Sequence, residues 1–516
     1  AGASTAFYGP GAFNGVINMT SKSPWLFPGL SVTAKVGERD LLDGAVRWAQ
    51  VFKNSAGKDR FAYKLNLMAL KATDWFAEDY SATSNSPTVA GNPGRYDGVN
   101  IYGDENTTVN NNFSRDVFSR INYPGLGTYM RPGYKESDLV DYGTDNLKAG
   151  VSLHYKVADS VEVVAASNYS RGSTVYQGEN RYRLENVQFF QHRLEVRKEG
   201  TWFLRGYVTH EDAGNTYDIF TTGVRLQEAG GSTQEWNNEY YTLWETWIKP
   251  RINVIDPSFI TIQEAPGQGI TSQSAYDAYI QQYIADNNAL FTGLHQDVVD
   301  SIAQLDNSDL DPAYIVGTDR FSNKLDEIRG KRFTEGGSLF YDRSLLAHGM
   351  GEYRFKPAFG ELIIGGSYRQ YLPNSAGTIF RDTGDVVIKN SEFGVYLGLE
   401  KKLMEEKLKL TATVRMDKNQ NFDALFSPAA SFVYTPRQDR TFRVSFSSAI
   451  RNPTLADQYL YYNVGRAILL GNVDGQFEAG KDSLVTIESF NEYRTSPTLL
   501  KASQNSNTST WTDCGL

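Results

Sequence analysis

Apolar and polar residues alternate with period two along most of this chain, in runs of about ten residues. The cleanest run is Leu147, Ala149, Val151, Leu153, Tyr155 and Val157, interleaved with Lys148, Gly150, Ser152, His154 and Lys156. Leu30 to Val36 repeats the pattern, as do Phe61 to Lys71, Val161 to Ser170, Phe190 to Arg197, Thr201 to Thr209, Leu362 to Arg369, Leu408 to Met416 and Phe442 to Ser448. Successive strand side chains point to opposite faces, so each run predicts a strand with one apolar and one polar face. About ten tilted residues is also the span a strand needs to cross a bilayer.

A soluble β-sandwich alternates too, and the connections arbitrate. Tight turns at 53–60, 158–159, 198–200, 356–360, 404–406 and 435–440 trade places with longer segments at 74–143, 176–185, 215–345, 372–390 and 448–482. That parity is expected of an all-β, antiparallel transmembrane β-barrel, with short turns at one end and long extracellular loops at the other. The loops carry short helices. In Ser272 to Phe291, Tyr276, Tyr279, Ile280, Tyr283 and Ile284 recur at helical spacing, and Val298, Val299, Ile302 and Leu305 continue it, predicting two amphipathic helices over the barrel mouth.

Composition narrows the function more than the fold. A chain of 516 residues is too long for one ordinary core, so it is several domains or one large barrel. Its net charge of −9 and the lack of any Lys/Arg-rich run argue against a nucleic-acid partner. Mean hydropathy is −0.44 and no apolar run reaches transmembrane-helix length, which leaves a barrel open because its strands hide their hydrophobicity in alternation. A single cysteine, Cys514, rules out an internal disulfide framework.

Catalytic candidates are scarce. His154, His192, His210, His295 and His348 stand singly, and no nucleophile elbow, phosphate loop or dinucleotide fingerprint occurs. We read no catalytic residue, no metal site and no cofactor; Asp306, Asp309 and Asp311 read as a solvated acidic loop rather than a calcium site. Aromatic placement says more. Phe52, Phe61, Trp202, Phe203, Tyr353, Phe355 and Tyr434 lie beside the tight turns, where an interfacial girdle belongs, although aromatics also simply favour strands. A second group sits in the long loops. From it Trp75, Tyr80, Tyr102, Trp236, Trp244 and Trp247 are the candidates for capturing a small ligand, with packing among the loops as the competing role.

Two stretches carry a family resemblance. Tyr8 to Lys22, with Gly9, Pro10, Gly11, Asn14 and Gly15 leading into Val16-Ile17-Asn18, resembles the end of the plug of TonB-dependent outer-membrane receptors. It is closest to Bacteroidetes-type members, SusC-like or siderophore-receptor-like. Phe442 to Leu455 resembles a late barrel strand of that family running into an exit at Arg451, Asn452, Pro453 and Thr454. The resemblance implies a fragment lacking most of the plug and the C-terminal strands: residues 1–28 as the end of the plug, 29–499 as a partial barrel with long loops, and 500–516 as a polar tail, disordered or non-native. Of the ~22 strands of plugged transporters, about thirteen or fourteen are expected here, in a sheet that does not close.

It further implies energy-coupled uptake of a nutrient, siderophore-iron or oligosaccharide, with the TonB complex, outer-membrane lipid, the nutrient and optionally a surface lipoprotein as partners. The alternatives are a passive channel or adhesin barrel and, further off, a secreted glycan-binding β-protein.

Overall fold

The computed structural model describes residues 9, 12, 16–104, 116–178, 180–448, 451–463, 468–471 and 473. Of the sequence-read site residues, Pro10, Gly11, Asn14 and Gly15 lie outside these, as does the 500–516 tail.

Strands come in chain order as β1 (Gly29–Val36), β2 (Leu42–Lys53), β3 (Asp59–Thr73), β4 (Ile101–Tyr102), β5 (Tyr134–Lys135), β6 (Gly143–Ala158), β7 (Val161–Gln177), β8 (Arg181–Lys198) and β9 (Trp202–Asp212). They continue as β10 (Tyr217–Asp218), β11 (Leu345–Phe355), β12 (Glu361–Leu372), β13 (Asn390–Leu403), β14 (Leu408–Asn419), β15 (Leu425–Arg437), β16 (Arg440–Ser447), β17 (Tyr461–Asn463) and β18 (Ile468–Leu470). One antiparallel sheet runs β1-β2-β3-β6-β7-β8-β9-β11-β12-β13-β14-β15-β16, with β10 paired onto β8. Every neighbour on that path is the next long strand in sequence, the meander an up-and-down barrel requires. No ladder joins β1 to β16 among the described residues.

Several strands exceed the sequence expectation. β2, β11, β13 and β15 carry Gly, Ala and inward charges that blur the alternation, while β6 to β8 run 16 to 18 residues. The register is the one the apolar pattern demands. Leu147, Val151, Leu153, Tyr155 and Val157 on β6 are exposed, whereas Ser152 and His154 are each 6% exposed on the opposite face. The same split puts Leu194, Leu204, Val208, Ile364, Leu397, Val414 and Phe432 outside. A one-residue slip would exchange the faces along a whole strand, so the two-sided pattern fixes the register.

The tight turns gather at one end. At the β8–β9 turn Thr201 N–H donates to the Lys198 carbonyl at 3.0 Å, and Gly200 takes φ +68°, a left-handed conformation suited to glycine. Phe52, Phe61, Tyr353 and Phe355 pack beside these turns, with ring centroids 5.8 Å apart in the first pair and 4.4 Å in the second. Phe203 departs from the expected girdle. It pairs opposite Arg197 and Glu352, on the inner face, under the Arg205 guanidinium.

At the other end residues 213–344 leave the sheet and return to it. Glu211 N–H donates to the Ser344 carbonyl at 3.1 Å and Ala213 N–H to the Asp342 carbonyl at 2.8 Å, so the excursion begins and ends at one place. It is more helical than the sequence pattern shows. Besides the expected helices, found at Gln273–Asp286 and Asn288–Ile302, it contains Ile219–Ala229, Thr233–Leu243, Ile252–Ile255 and Asp319–Gly330. Side-chain caps start them: Asp218 accepts from Thr221 N–H at 2.8 Å, and Ser232 and Glu235 form a capping box. Residues 74–104 and 116–142 add short helices at Val117–Asn122 and Glu136–Leu139 and pack into the same cap.

Candidate functional site: the polar lumen and its helical cap

The inner face of the sheet carries charge at positions where the outer face carries Leu, Val and Phe, and the charges are paired both along and across strands. Glu195 on β8 accepts from Arg205 Nε on β9 at 2.7 Å and lies within 3.4 Å of both Arg193 and Arg197. Glu162 on β7 accepts from Arg197 Nε at 2.9 Å and meets His154 Nδ1 at 2.8 Å. Further round the wall, Arg369 Nη1 donates to Glu392 at 2.9 Å, and the Tyr396 hydroxyl and Arg354 Nε donate to Glu352 at 2.6 and 2.8 Å. Arg415 lies beside Asp417 at 2.7 Å and donates to Ser367 Oγ at 3.1 Å. Gly394 leaves room for that pair, since a Cβ there would collide with both Arg415 and Asp417. Interleaved opposite charges let a wall stay polar without leaving a buried charge alone.

Residues 21–27 lie against the inner face of this wall. Trp25 Nε1 donates to Glu162 Oε1 at 2.7 Å, and Lys64 Nζ donates to Ser21 Oγ at 2.9 Å and to the Lys22 carbonyl at 3.1 Å. Upstream, Gly9 is buried with φ +88°, and a Cβ placed on it would lie 3.2 Å from Arg415 Nη2. A cavity of about 1200 Å³ lies between residues 18–26 and the wall of β3, β6 to β9 and β11. Eight cationic side chains (Lys22, Lys64, Lys156, Arg193, Arg197, Lys198, Arg205, Arg354) and five acidic ones (Asp159, Glu162, Glu195, Glu199, Glu352) line it, so its potential is positive.

Over the mouth, the cap has two apolar cores. In the first, Leu126 and Tyr129 from the 74–142 segment meet Trp236, Tyr240, Trp244, Phe291, Leu294, Val298 and Ile302. Tyr129 and Tyr240 stack at 4.2 Å, and Trp244 Nε1 donates to the Pro124 carbonyl at 3.3 Å. His295 is sealed among them. Its Nε2 meets the Gly125 carbonyl at 3.0 Å, which makes that nitrogen the donor, so Nδ1 accepts from the Tyr240 hydroxyl. Burial holds its pKa down to about 4, outweighing the raising effect of the Gly125 bond, and the ring is neutral. Arg120 ties the two segments together again through Asp277 at 2.6 and 2.7 Å.

The second core joins the cap to the sheet. Tyr102, Leu139, Tyr142, Tyr217, Ile219, Leu226, Phe321, Leu325 and Ile328 surround it. Glu136, wholly buried, accepts from the Tyr102 hydroxyl at 2.6 Å, from the Tyr142 hydroxyl at 2.8 Å and from Arg181 Nη2 on β8 at 2.7 Å. Burial first, and the Glu136 bond second, push the Tyr102 hydroxyl far above the ordinary tyrosine range, so it remains a donor.

Three of the six loop aromatics read as ligand candidates are therefore enclosed: Trp236 and Trp244 fill the first core and Tyr102 the second, out of a ligand's reach. Helical packing encloses the two tryptophans, and Tyr102 on β4 is covered by the helix Ile219–Ala229, whose Phe220 meets its ring. Trp75 is 74% exposed with the Arg39 guanidinium 4.5 Å from its ring. Tyr80 and Trp247 are half-buried, under Lys135 at 5.1 Å and Arg251 at 5.9 Å respectively. The late motif also has a visible role in packing. Arg451, Asn452 and Pro453 follow β16 and lead to Thr454, which caps the helix Leu455–Tyr459; Gln458 of that helix donates to the Pro453 carbonyl and accepts from Asn390 and Asn421. Sequence reading missed Trp25, Lys64, Glu162, Glu195 and Glu136. Lys64, Glu162 and Glu195 lie on inward strand positions that alternation alone exposes, but only register tells which charges meet; Trp25 lies in a turn before β1, which alternation does not reach.

Residues 254–502 match the family model described as TonB dependent receptor-like, beta-barrel. No curated protein matches the chain. Among solved structures, the siderophore receptor PirA from Pseudomonas aeruginosa is similar at 11% identity and a TM-score of 0.41, over 88% of this chain and 51% of that one. A ferric enterobactin receptor mutant from the same organism is similar at 12% identity and 0.43, over 90% and 50%. The FrpB iron transporter from Neisseria meningitidis is similar at 10% identity and 0.43, over 88% and 51%. The chain spans about half the length of these proteins. Residues 254–502, the stretch from within the cap through β11 to β18, thus carry the pattern of a TonB dependent receptor-like β-barrel.

Proposed function

We propose that this chain forms the wall, the helical cap and the tail of the plug of a receptor that takes up a small nutrient across the outer membrane with energy from the TonB complex. The observation that carries this reading is the segment 21–27 seated against a charge-paired inner wall, beside a cavity of about 1200 Å³. A passive channel has no use for a strap inside its lumen. The excess of Lys and Arg around the cavity favours an anionic cargo, such as a ferric siderophore, over a neutral oligosaccharide, because a positive lining concentrates anions. Trp75, Tyr80 and Trp247, the candidate rings left at least partly accessible, are the first contacts we assign to such a ligand at the cap.

Whole-cell uptake by the full-length protein is the test. Labelled ferric siderophore should accumulate in cells with intact TonB and stop on adding a protonophore. Accumulation that continues without TonB would reduce the protein to a passive channel, and accumulation of neutral oligosaccharide alone would reverse the cargo assignment.

A further inference from the structure

Around much of the lumen the inward arginines are held by acids: Glu195, Glu162, Glu352, Glu392 and Asp417 each take at least one. Lys148 on β6 breaks that habit. Its inward neighbours are Met68 across on β3, Ser170 across on β7, and Asn146 and Gly150 along its own strand, none of them acidic. Its ammonium has no partner among the described residues. The next acid in its cross-strand row is Glu211, three strands and about 14 Å away, and that carboxyl is hydrogen-bonded to Asp342.

A trough of about 640 Å³ lies along the wall at this point. It adjoins the larger cavity at Asn66, Asn168 and Gln191, which line both. Arg47 and Lys148 are the charged residues of its lining, and no acid is among them. Asn66 and Asn168 flank Gly150 in one cross-strand row. A Cβ on Gly150 would lie 2.6 Å from Asn168 Oδ1 and 3.8 Å from Asn66 Nδ2, so both amides lean over the space that glycine leaves. Neither amide has a hydrogen-bond partner among the described residues. Phe189, inward on β8 and 44% exposed, lines the same trough two strands from Lys148, a span of about 10 Å. An unpaired cation, two unpaired amides and an apolar ring thus share one concavity on a wall that elsewhere pairs its charges.

We propose that this trough binds an aromatic anion, a ring bearing a carboxylate or phenolate, between the mouth and the larger cavity. Lys148 takes the charged oxygen, the Asn66 and Asn168 amides meet the neighbouring polar atoms, and Phe189 faces the ring. A charge-assisted hydrogen bond and a ring contact are each stronger where the walls exclude part of the water. The proposal rests on the uptake reading above for the cargo it serves, whereas binding is measurable without transport.

The test titrates the purified full-length protein in detergent with salicylate, and with salicylamide as the uncharged counterpart, followed by saturation-transfer NMR. Salicylate should bind at least about tenfold more tightly than salicylamide. Lys148→Gln should cost about tenfold in salicylate affinity and Lys148→Arg less than about threefold. Gly150→Val, which fills the trough without changing charge, should cost as much as Lys148→Gln; should it fail to assemble, Lys148→Gln, at an exposed position, decides alone. Lys198→Gln, in the larger cavity, should leave the affinity unchanged. Equal affinity for salicylamide overturns the proposal, as does an unaltered Lys148→Gln protein. An equal loss in Lys198→Gln also overturns it, by assigning the effect to the general positive field of the lumen. Salicylate binding with no energy-dependent uptake removes the transport reading and leaves the trough as a binding site, while uptake without binding removes the trough.

Discussion

The barrel wall and the helical cap are built from the same kinds of residue turned in opposite directions. On the wall, Val151, Leu153, Leu397 and Phe432 face outward and Glu195, Arg205 and Arg415 inward. In the cap, Trp236, Trp244, Phe291 and Val298 are enclosed, while most charges of its helices stay at the surface in pairs such as Lys324 with Glu327, Glu136 and Asp277 being buried against Arg181 and Arg120. The difference lies in the surroundings: hydrocarbon outside the wall, water outside the cap. An aromatic ring therefore has no fixed meaning in this chain. Phe355 at a tight turn is a girdle ring and Trp244 in a loop is core, although both are aromatic residues flanked by charge in the sequence.

The contrast is sharpest at Trp244. Truncation to Ala should destabilise the cap by about 3 to 5 kcal/mol, as expected for a fully enclosed large ring, and leave strand pairing alone. Hydrogen exchange should rise across 233–302 and stay unchanged in β6 to β9; equal loss in both would join what we describe as separate cores. On the wall, Val151→Arg places a charge against lipid at a cost of about 2 to 4 kcal/mol near the midplane, whereas Ser152→Arg faces the lumen. Assembly of the full-length protein into a heat-resistant barrel should fail for the first and survive for the second. Equal tolerance would invert the register.

A third handle is pH. His295 is held neutral with a pKa of about 4, below its unfolded value near 6.5, so between these values the unfolded cap binds more protons than the folded one. Its contribution is present above about pH 6.5 and is lost as pH falls, by roughly 2 kcal/mol at pH 5. Exchange rates in the cap should thus rise from pH 7 to pH 5, after correction for intrinsic chemistry, and His295→Gln should flatten that rise. The smallest effect is expected at Trp75. Its ring is mostly exposed, so Trp75→Ala should change stability by less than about 0.5 kcal/mol and show itself in ligand binding alone. A large stability loss there would move Trp75 from the ligand face to the core.

The strands were legible in the sequence because each carries its own evidence: β6 alternates along its length whatever it pairs with. The tight turns and the helices at 273–286 and 288–302 were legible for the same local reason. What escaped was relational. Glu195 reads as one polar residue in a polar row until register sets it opposite Arg205, and Glu136 is an unremarkable acid until Tyr102, Tyr142 and Arg181 converge on it from three segments. Strands with inward Gly, such as β13 with Gly394 and Gly398, were dim because their small residues answer to neighbours across the sheet. The loop tryptophans misled because a helix of the cap conceals its rings by folding onto another segment, and nothing in residues 233–247 specifies that the partner is Leu126 and Tyr129.

The two hydrogen bonds that join Glu211 to Ser344 and Ala213 to Asp342 make the long excursion an insertion between β9 and β11, held to the wall also where β10 pairs onto β8 and where, through the rest of the cap, Arg181 meets Glu136. A segment of over a hundred residues that departs and returns at adjacent backbone positions can be lengthened, exchanged or cut back to a hairpin turn without asking β9 and β11 to move, because the two strands already pair from His210 and Leu345 downward. The helical excursion and the strands that carry it are thereby written in separate stretches of chain, free to change at different rates.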